Sequence, residues 1–187
     1  LSPKTGEITE IQTEPRPYGI KVAPDGTIWV AYNGTNKLGA LDPETMEVRY
    51  YEVPNEASRI RRLGLTSDGM IWYGNSTQGR IGRLNPKTGE IKEWMTPNGA
   101  GSHPYAIEVV DDIVWLNESE QRPDVLLRFD PDTEQFQSWA IPSGVGIIRN
   151  MRATHDGNLV IHQSSANTVG LVLIDQESSW VPGPYRP

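Results

Sequence analysis

The chain has 187 residues, a formal net charge of −7 and no cysteine. The acidic balance argues against a duplex nucleic-acid binder, because such proteins gather Lys and Arg on one face. The lack of cysteine excludes disulfides and thiolate chemistry but is tolerated in the cytoplasm and in the periplasm, so the compartment stays open. No segment approaches the roughly 20 apolar residues of a membrane span, and the start at Leu1 shows no basic and apolar signal segment, so we expect neither an anchor nor a leader.

Three signals recur in the same order along the chain, at a period of roughly 40 to 45 residues. The first is a turn sequence: PKTGEI at 3–8, PETMEV at 43–48, PKTGEI at 86–91 and PDTEQF at 131–136. The second is a turn followed by an apolar strand: DGTIWV at 25–30, DGMIWY at 68–73, DDIVWL at 111–116 and DGNLVI at 156–161. The third is a strand that ends before Pro in three repeats: KLGALDP, RIGRLNP, VLLRFDP and then VGLVLID. A residue before Pro resists the α-helix, so this signal marks a strand end.

Each repeat therefore predicts about four short strands, and no convincing amphipathic helix is found. Four strands at this period are typical of a β-propeller blade. We predict an all-β fold, a β-propeller built from four-stranded blades, with about four blades in residues 1–177 and an extended tail at 178–187. The predicted blades lie at about 3–42, 43–85, 86–130 and 131–175.

The repeated aromatic position is expected to pack between blades. Trp29, Trp72 and Trp115 share it, and Val160 takes it in the fourth repeat. The opening TGEITEI matches an outermost strand, so an early strand is expected to complete a late blade. Four repeats can close alone, but propellers of this repeat type more often have about seven blades, so a fragment or a self-pairing half of a larger propeller is also expected.

The repeats combine PY(G/A)I, a DG turn, Trp, a (K/R)IGRL-like strand and PKTGEI, across residues 3–175. In this combination the repeat pattern resembles the virginiamycin B lyase (streptogramin lyase) family. The resemblance implies a seven-bladed propeller that opens a cyclic depsipeptide antibiotic at its ester by elimination, with Mg²⁺ and a His general base. Antibiotic resistance is the role that this activity implies.

The family's catalytic blade reads Glu-Pro-His and then Trp-x-x-Glu, and one blade here comes near to it. Its residues are His103-Pro104-Tyr105, followed by Trp115-Leu116-Asn117-Glu118. Glu118 matches the carboxylate associated with the metal, so the resemblance implies Mg²⁺ at Glu118. Tyr105 stands where the family has its catalytic His, and His103 where it has a Glu. The base is therefore either moved by two residues to His103 or absent.

Alignment of the repeats on the Trp position predicts rings of residues around one axis. Equivalent residues of successive blades surround the channel, so these residues are expected at its mouth. The approach to the inner strand carries Arg16, Arg59, His103 and Ile147. Two residues further along lie Tyr18, Arg61, Tyr105 and Arg149. Three residues past the Trp position lie Tyr32, Asn75, Glu118 and Gln163.

Each candidate has a functional and a structural interpretation. His103 with Glu118 could supply a base or a metal ligand, or His103 could end a turn while Glu118 pairs with an Arg. Arg61 and Arg149 could bind a carboxylate or polarise a carbonyl, or form ion pairs between blades. Tyr18 and Tyr105 suit an amphipathic ligand, or simply pack.

Three functions stay open at this stage. The first is a metal-assisted lyase that opens a lactone or depsipeptide, and the second is a non-catalytic propeller that binds a peptide, a glycan or a protein. The third is an assembly module, a homo-oligomer that completes a larger propeller. No GxSxG, Walker, HExxH or dinucleotide motif occurs in a suitable context.

Overall fold

The computed structural model describes residues 2–144 and 146–174, and its regular structure there consists of β-strands. The first sheet contains β1 (Pro17–Val22), β2 (Ile28–Tyr32), β3 (Lys37–Leu41) and β4 (Val48–Glu52). The second contains β5 (Ile60–Leu65), β6 (Ile71–Asn75), β7 (Arg80–Leu84) and β8 (Ile91–Met95). The third contains β9 (Pro104–Val110), β10 (Ile113–Glu118), β11 (Val125–Asp130) and β12 (Gln135–Ala140). The fourth contains β13 (Ile148–Ala153), β14 (Leu159–Gln163) and β15 (Thr168–Val172).

The sheets are antiparallel meanders arranged as propeller blades. In each sheet the strands are hydrogen-bonded in chain order. The first strands β1, β5, β9 and β13 contact one another in succession, so they lie nearest the axis. The predicted all-β class is confirmed. No helix in the described ranges has the length and apolar character needed to cross a bilayer.

The sheet boundaries differ from the repeat boundaries expected from the sequence. The repeat at 43–85 counts β4 with the sheet that follows, whereas β4 pairs with β3 in the register Leu38↔Tyr51. The cause is the tight turn after β3, in which Met46 N–H donates to the Asp42 carbonyl at 2.8 Å. Residues 4–10 form no strand, so within the described residues no early strand completes the fourth sheet. The predicted tail at 178–187 lies outside the described residues.

The backbone conformation of the PKTGEI-type turns explains which residues recur in them. Asn85 Oδ1 accepts the Lys87 N–H at 3.0 Å, and Gly89 has a φ of 77°, which glycine adopts without strain. Asp42 and Asp130 accept equivalent N–H groups in their own turns. These repeated polar residues therefore shape hairpins.

The core consists of three apolar clusters between successive sheets. Trp72 of the second sheet stacks on Trp94, with ring centroids 5.6 Å apart, and lies 5.7 Å from Phe129 of the third sheet. The expected packing of the repeated Trp between blades is thus confirmed for Trp72. Burial of apolar surface, to which these rings contribute, is the dominant favourable contribution to stability.

The two end sheets leave apolar side chains exposed. Ile20 and Val22 of β1 are 64% and 66% exposed. In and after β15, Val169, Leu171 and Leu173 are at least 61% exposed. The described sheets therefore form an arc with two apolar ends.

Candidate functional site

A β-bulge interrupts the pairing of the inner strand in all four sheets, at the same place. On the inner strands the register shifts lie between Pro17 and Gly19, Ile60 and Leu63, Pro104 and Ile107, and Ile148 and Met151. A bulge leaves a residue unpaired and redirects its side chain. The residues at or next to the bulges are Tyr18, Arg61, Arg62, Tyr105 and Arg149.

The bulges bring two tyrosines together from sheets that are not adjacent. The hydroxyl of Tyr18 is hydrogen-bonded to that of Tyr105, and the rings meet edge to face with centroids 6.4 Å apart. Tyr18 is 38% exposed and Tyr105 is 8% exposed. The pair thus has one accessible phenol and one buried phenol.

Guanidinium groups surround this tyrosine pair. The Arg61 Cζ lies 4.3 Å from the centroid of the Tyr105 ring, and the Arg62 Cζ lies 5.0 Å from that of Tyr18. The Arg61 Nε donates to Ser76 Oγ at 3.0 Å, and the Arg62 Nε donates to the Arg149 carbonyl at 3.2 Å. Both bonds use Nε, so the terminal nitrogens of Arg61 and Arg62 keep donor capacity for a ligand.

The two phenols have pKa shifts in opposite directions. Burial acts to raise the pKa of Tyr18, but the hydrogen bond with Tyr105 and the charges of Arg62 and Arg61 outweigh it and lower that pKa. Burial and the hydrogen bond to Tyr18 raise the pKa of Tyr105, against the charges of Arg61 and Arg149. Tyr105 therefore keeps its proton when Tyr18 loses one.

A second group of charges lies one step further along the inner strands. Lys21 Nζ is 2.7 Å from Glu108 Oε1, and Arg152 Nη1 is 3.5 Å from Glu108 Oε2. Glu108 is 7% exposed, so both its cationic neighbours stabilise a buried charge. These four inner strands together carry five cationic side chains and one carboxylate: Lys21, Arg61, Arg62, Arg149, Arg152 and Glu108.

Lys21, Arg62, Glu108 and Arg152 were missed by sequence reasoning. The aligned repeats contain a signal, because Lys21, Glu108 and Arg152 occupy one equivalent position. Arg62 had no such signal, since a bulge changes which residue faces the axis and the sequence does not reveal the bulge.

A cavity of about 90 Å³ lies between the four inner strands. Its lining includes Lys21, Arg62, Glu108 and Arg152. A wider depression of about 590 Å³ at the outer part of the first sheet, lined by residues 34–36 and 52–54 with Glu56, contains none of the clustered tyrosines or arginines. We therefore place the candidate site in the channel.

Glu118 lies apart from this cluster, which corrects the expected role at the channel mouth. It is fully buried, and its two carboxylate oxygens accept hydrogen bonds from the backbone and side-chain nitrogens of Asn98. Asn98 belongs to the loop before β9, so Glu118 fixes that loop. No contact between Glu118 and His103 side chains is found in the described residues.

His103 contributes through its backbone. Its φ is 53°, a left-handed conformation, and its carbonyl accepts hydrogen bonds from the Ser119 N–H at 3.2 Å and from Ser119 Oγ at 2.9 Å. The carbonyls of Arg16, Arg59 and Ile147 accept an equivalent N–H in their repeats. The backbone carbonyl at this position of each of the four repeats therefore accepts the hydrogen bond that closes a turn.

The other three residues of the Glu118 ring also point away from the inner strands. Tyr32 is buried against Tyr50 of β4, with ring centroids 5.8 Å apart. Asn75 donates to Ser58 Oγ at 2.8 Å and to Glu93 at 3.3 Å. Gln163 accepts from Thr168 at 3.0 Å and is bonded to Ser143. The structure thus brings together Tyr18, Arg61, Tyr105 and Arg149, and leaves Tyr32, Asn75, Glu118 and Gln163 elsewhere.

The residues do not fit the magnesium site that the resemblance implies. In the described ranges no group of three or more His, Asp or Glu side chains is arranged to hold a metal ion. Glu118 is the implied ligand, and its oxygens are engaged by Asn98. No step of a reaction is therefore assigned to a metal.

Comparison with known proteins identifies the family. The model of the virginiamycin B lyase family matches residues 4–184. The chain belongs to the virginiamycin B lyase family. A solved virginiamycin B lyase of Staphylococcus aureus, a catalytically inactive variant with quinupristin, is similar at 24% identity with a TM-score of 0.73. The alignment covers 86% of this chain and 56% of that one, so this member of the family spans little more than half of that lyase.

Two further solved structures resemble this family member in fold. A streptogramin B lyase structure has 22% identity and a TM-score of 0.72, over 89% of this chain and 57% of that one. The WD40 β-propeller domain of Doa1 has 13% identity and a TM-score of 0.68, over 86% and 51%. At these identities the likeness concerns the propeller fold alone. Comparison with curated proteins gave no match.

Proposed function

We propose that the protein opens a cyclic ester, a lactone or depsipeptide, by elimination at the mouth of the channel between its inner strands, where Tyr18 is exposed. The observation that carries this proposal is the local charge. The chain as a whole has a net charge of −7, yet its inner strands carry five cations and one carboxylate. A cationic channel in an acidic protein favours a ligand or a transition state with negative charge.

Ester elimination develops negative charge in this way. A base removes the proton from the carbon next to a carbonyl group, and the C–H electrons form a C=C double bond with the neighbouring carbon. The C–O bond to the ester oxygen then breaks, and its electron pair leaves with the oxygen as a carboxylate. The carbonyl oxygen carries enolate-like charge during proton removal, and the leaving carboxylate carries charge afterwards.

The arginines are suited to both charges. Arg61 is held by Ser76 and Arg62 by the Arg149 carbonyl, so their forks are oriented before a ligand binds. Preorganised donors stabilise developing charge without rearrangement. Arg61 or Arg149 is the proposed partner of the enolate-like oxygen, and the exposed ring of Tyr18 offers an apolar surface for the rest of the ligand.

A second function fits the same cluster. Tyr and Arg are the residues enriched at binding hot spots, so the channel could hold an acidic peptide, a glycan or a protein without chemistry. The exposed apolar ends favour a third role: we propose that a second copy of the chain covers the ends formed by Ile20 with Val22 and by Leu171 with its neighbours.

The test uses quinupristin, the ligand of the similar lyase, and a simple depsipeptide lactone. Elimination gives an isomer with unchanged mass and a new C=C absorbance, whereas hydrolysis adds the mass of one water. Arg61→Gln should reduce kcat/KM by roughly 10²-fold or more, while Arg128→Gln on β11 should not. Binding without product would favour the second function. The absence of both binding and product would overturn both functions.

A further inference from the structure

We infer that Tyr18 and Tyr105 form a proton-sharing pair that carries one negative charge, and that the Tyr18 oxygen is the base that removes the substrate proton. The base role rests on the proposed function, whereas the proton sharing does not. The hydroxyl of Tyr18 is bonded to that of Tyr105, although the residues lie 87 positions apart on the first and third sheets.

The geometry divides the roles within the pair. Tyr18 is 38% exposed and Tyr105 is 8% exposed, so a substrate reaches the first oxygen more readily than the second. In the charged pair Tyr105 O–H donates to the Tyr18 oxygen. One hydrogen bond stabilises the tyrosinate while the buried phenol keeps its proton.

The surroundings favour one negative charge at this point. Charged groups on the strands packed against the pair are Lys21 on β1, Arg61 and Arg62 on β5, Glu108 on β9, and Arg149 and Arg152 on β13. His103 precedes β9 by one residue. Glu108 is paired with Lys21 and Arg152, and among the described residues no carboxylate forms an ion pair with Arg61, Arg62 or Arg149. The opposite pKa shifts of the two tyrosines agree with this charge distribution.

The proton path of the proposed step is balanced. The Tyr18 oxygen accepts the proton from the carbon next to the carbonyl, the C–H electrons form the double bond, and the ester oxygen leaves with the electrons of its C–O bond. Tyr18 is then a neutral phenol, and loss of its proton to water restores the charged pair. No oxidant, reductant or co-reactant is needed.

The first test follows each tyrosine by NMR of the ¹³Cζ-labelled protein across a pH titration. In the wild type the Tyr18 signal should change to the tyrosinate position at lower pH than an ordinary tyrosine, and Tyr105 at higher pH. Tyr105→Phe removes the donor and should move the Tyr18 transition to higher pH. Tyr18→Phe should move the Tyr105 transition to lower pH, because Arg61 and Arg149 remain. Tyr50→Phe on β4 is the control and should change neither.

Identical Tyr18 transitions in the wild type and in Tyr105→Phe would overturn the inference that the two tyrosines share a proton.

The base role has its own readout, the pH profile of kcat with the depsipeptide lactone. Tyr18→Phe should lower kcat by roughly 10²-fold or more and remove the acidic limb of the profile. Turnover with an unchanged profile in Tyr18→Phe would overturn the base role and leave the lyase proposal intact. A wild type without turnover but with coupled titration would overturn the lyase proposal and the base role, and leave the proton-sharing pair intact.

Discussion

The ammonium group of Lys21 lies 2.7 Å from the carboxylate of Glu108, across the channel between the first and third sheets. Arg152 of the fourth sheet approaches the other oxygen of the same carboxylate at 3.5 Å. One buried anion thus links three of the four described sheets. Glu108 therefore has two cationic partners of its own, on the first and the fourth sheet.

Glu108→Gln should lower the free energy of unfolding by about 1–3 kcal/mol, because it leaves two cations without their shared partner. Urea denaturation measures the change. Glu134→Gln is the matched control, since Glu134 forms an exposed pair with Lys92 and exposed pairs contribute little. Equal stability of the two variants would show that the central ion pairs do not hold the sheets together.

Glu118→Gln should also reduce stability, by about 1–3 kcal/mol, because its amide group would face the donor nitrogens of Asn98. Glu120→Gln, two residues away and exposed, should have little effect. Calorimetry with Mg²⁺ should give the same heats for the wild type and for Glu118→Gln. Saturable Mg²⁺ binding that disappears in Glu118→Gln would restore the metal site implied by the family resemblance.

Asp124 should make stability depend on pH. Its side chain is buried, and burial raises the pKa of Asp124 to about 6, against the charge of Arg122. The folded protein therefore holds the Asp124 proton more tightly than the unfolded chain does, and the free energy of unfolding should fall as pH rises from about 4 to about 6. Asp124→Asn should flatten the profile there and Asp132→Asn should not. Parallel profiles for Asp124→Asn and the wild type would contradict this assignment.

The apolar ends should cause self-association. We expect a dimer in light scattering after size exclusion, because exposed patches of this kind mark interaction sites. Leu171→Lys should shift the protein toward the monomer, and Ser138→Lys on the outer strand β12 should not. A strict monomer for the wild type at high concentration would contradict the proposal that a second copy of the chain covers the apolar ends.

The fold was predictable because hydrophobic period, turn residues and repeat spacing are local properties of the sequence. Trp72, at the repeated aromatic position, packs between sheets as expected. The blade boundaries were not predictable from the repeat alone, because β4 pairs across a tight turn with the strand before it. The order of the repeats does not show whether a blade begins before or after such a turn.

The site was predictable only in part. Repeat alignment placed Tyr18, Arg61, Tyr105 and Arg149 in one ring, and the structure brings them together. The same reasoning placed Glu118 with them, but its carboxylate accepts hydrogen bonds from Asn98 in the loop before β9. The bulges next to each ring residue decide these directions, and they depend on pairing between strands.

We propose above that the cationic channel opens cyclic esters by elimination. The most direct measurement is incubation of the protein with the depsipeptide lactone in ¹⁸O-labelled water, followed by mass spectrometry and ultraviolet absorbance. We expect a linear product of unchanged mass, without ¹⁸O and with a new C=C absorbance, formed by the wild type and strongly reduced in Arg61→Gln. A product that contains ¹⁸O, or no product while the lactone binds, would contradict it.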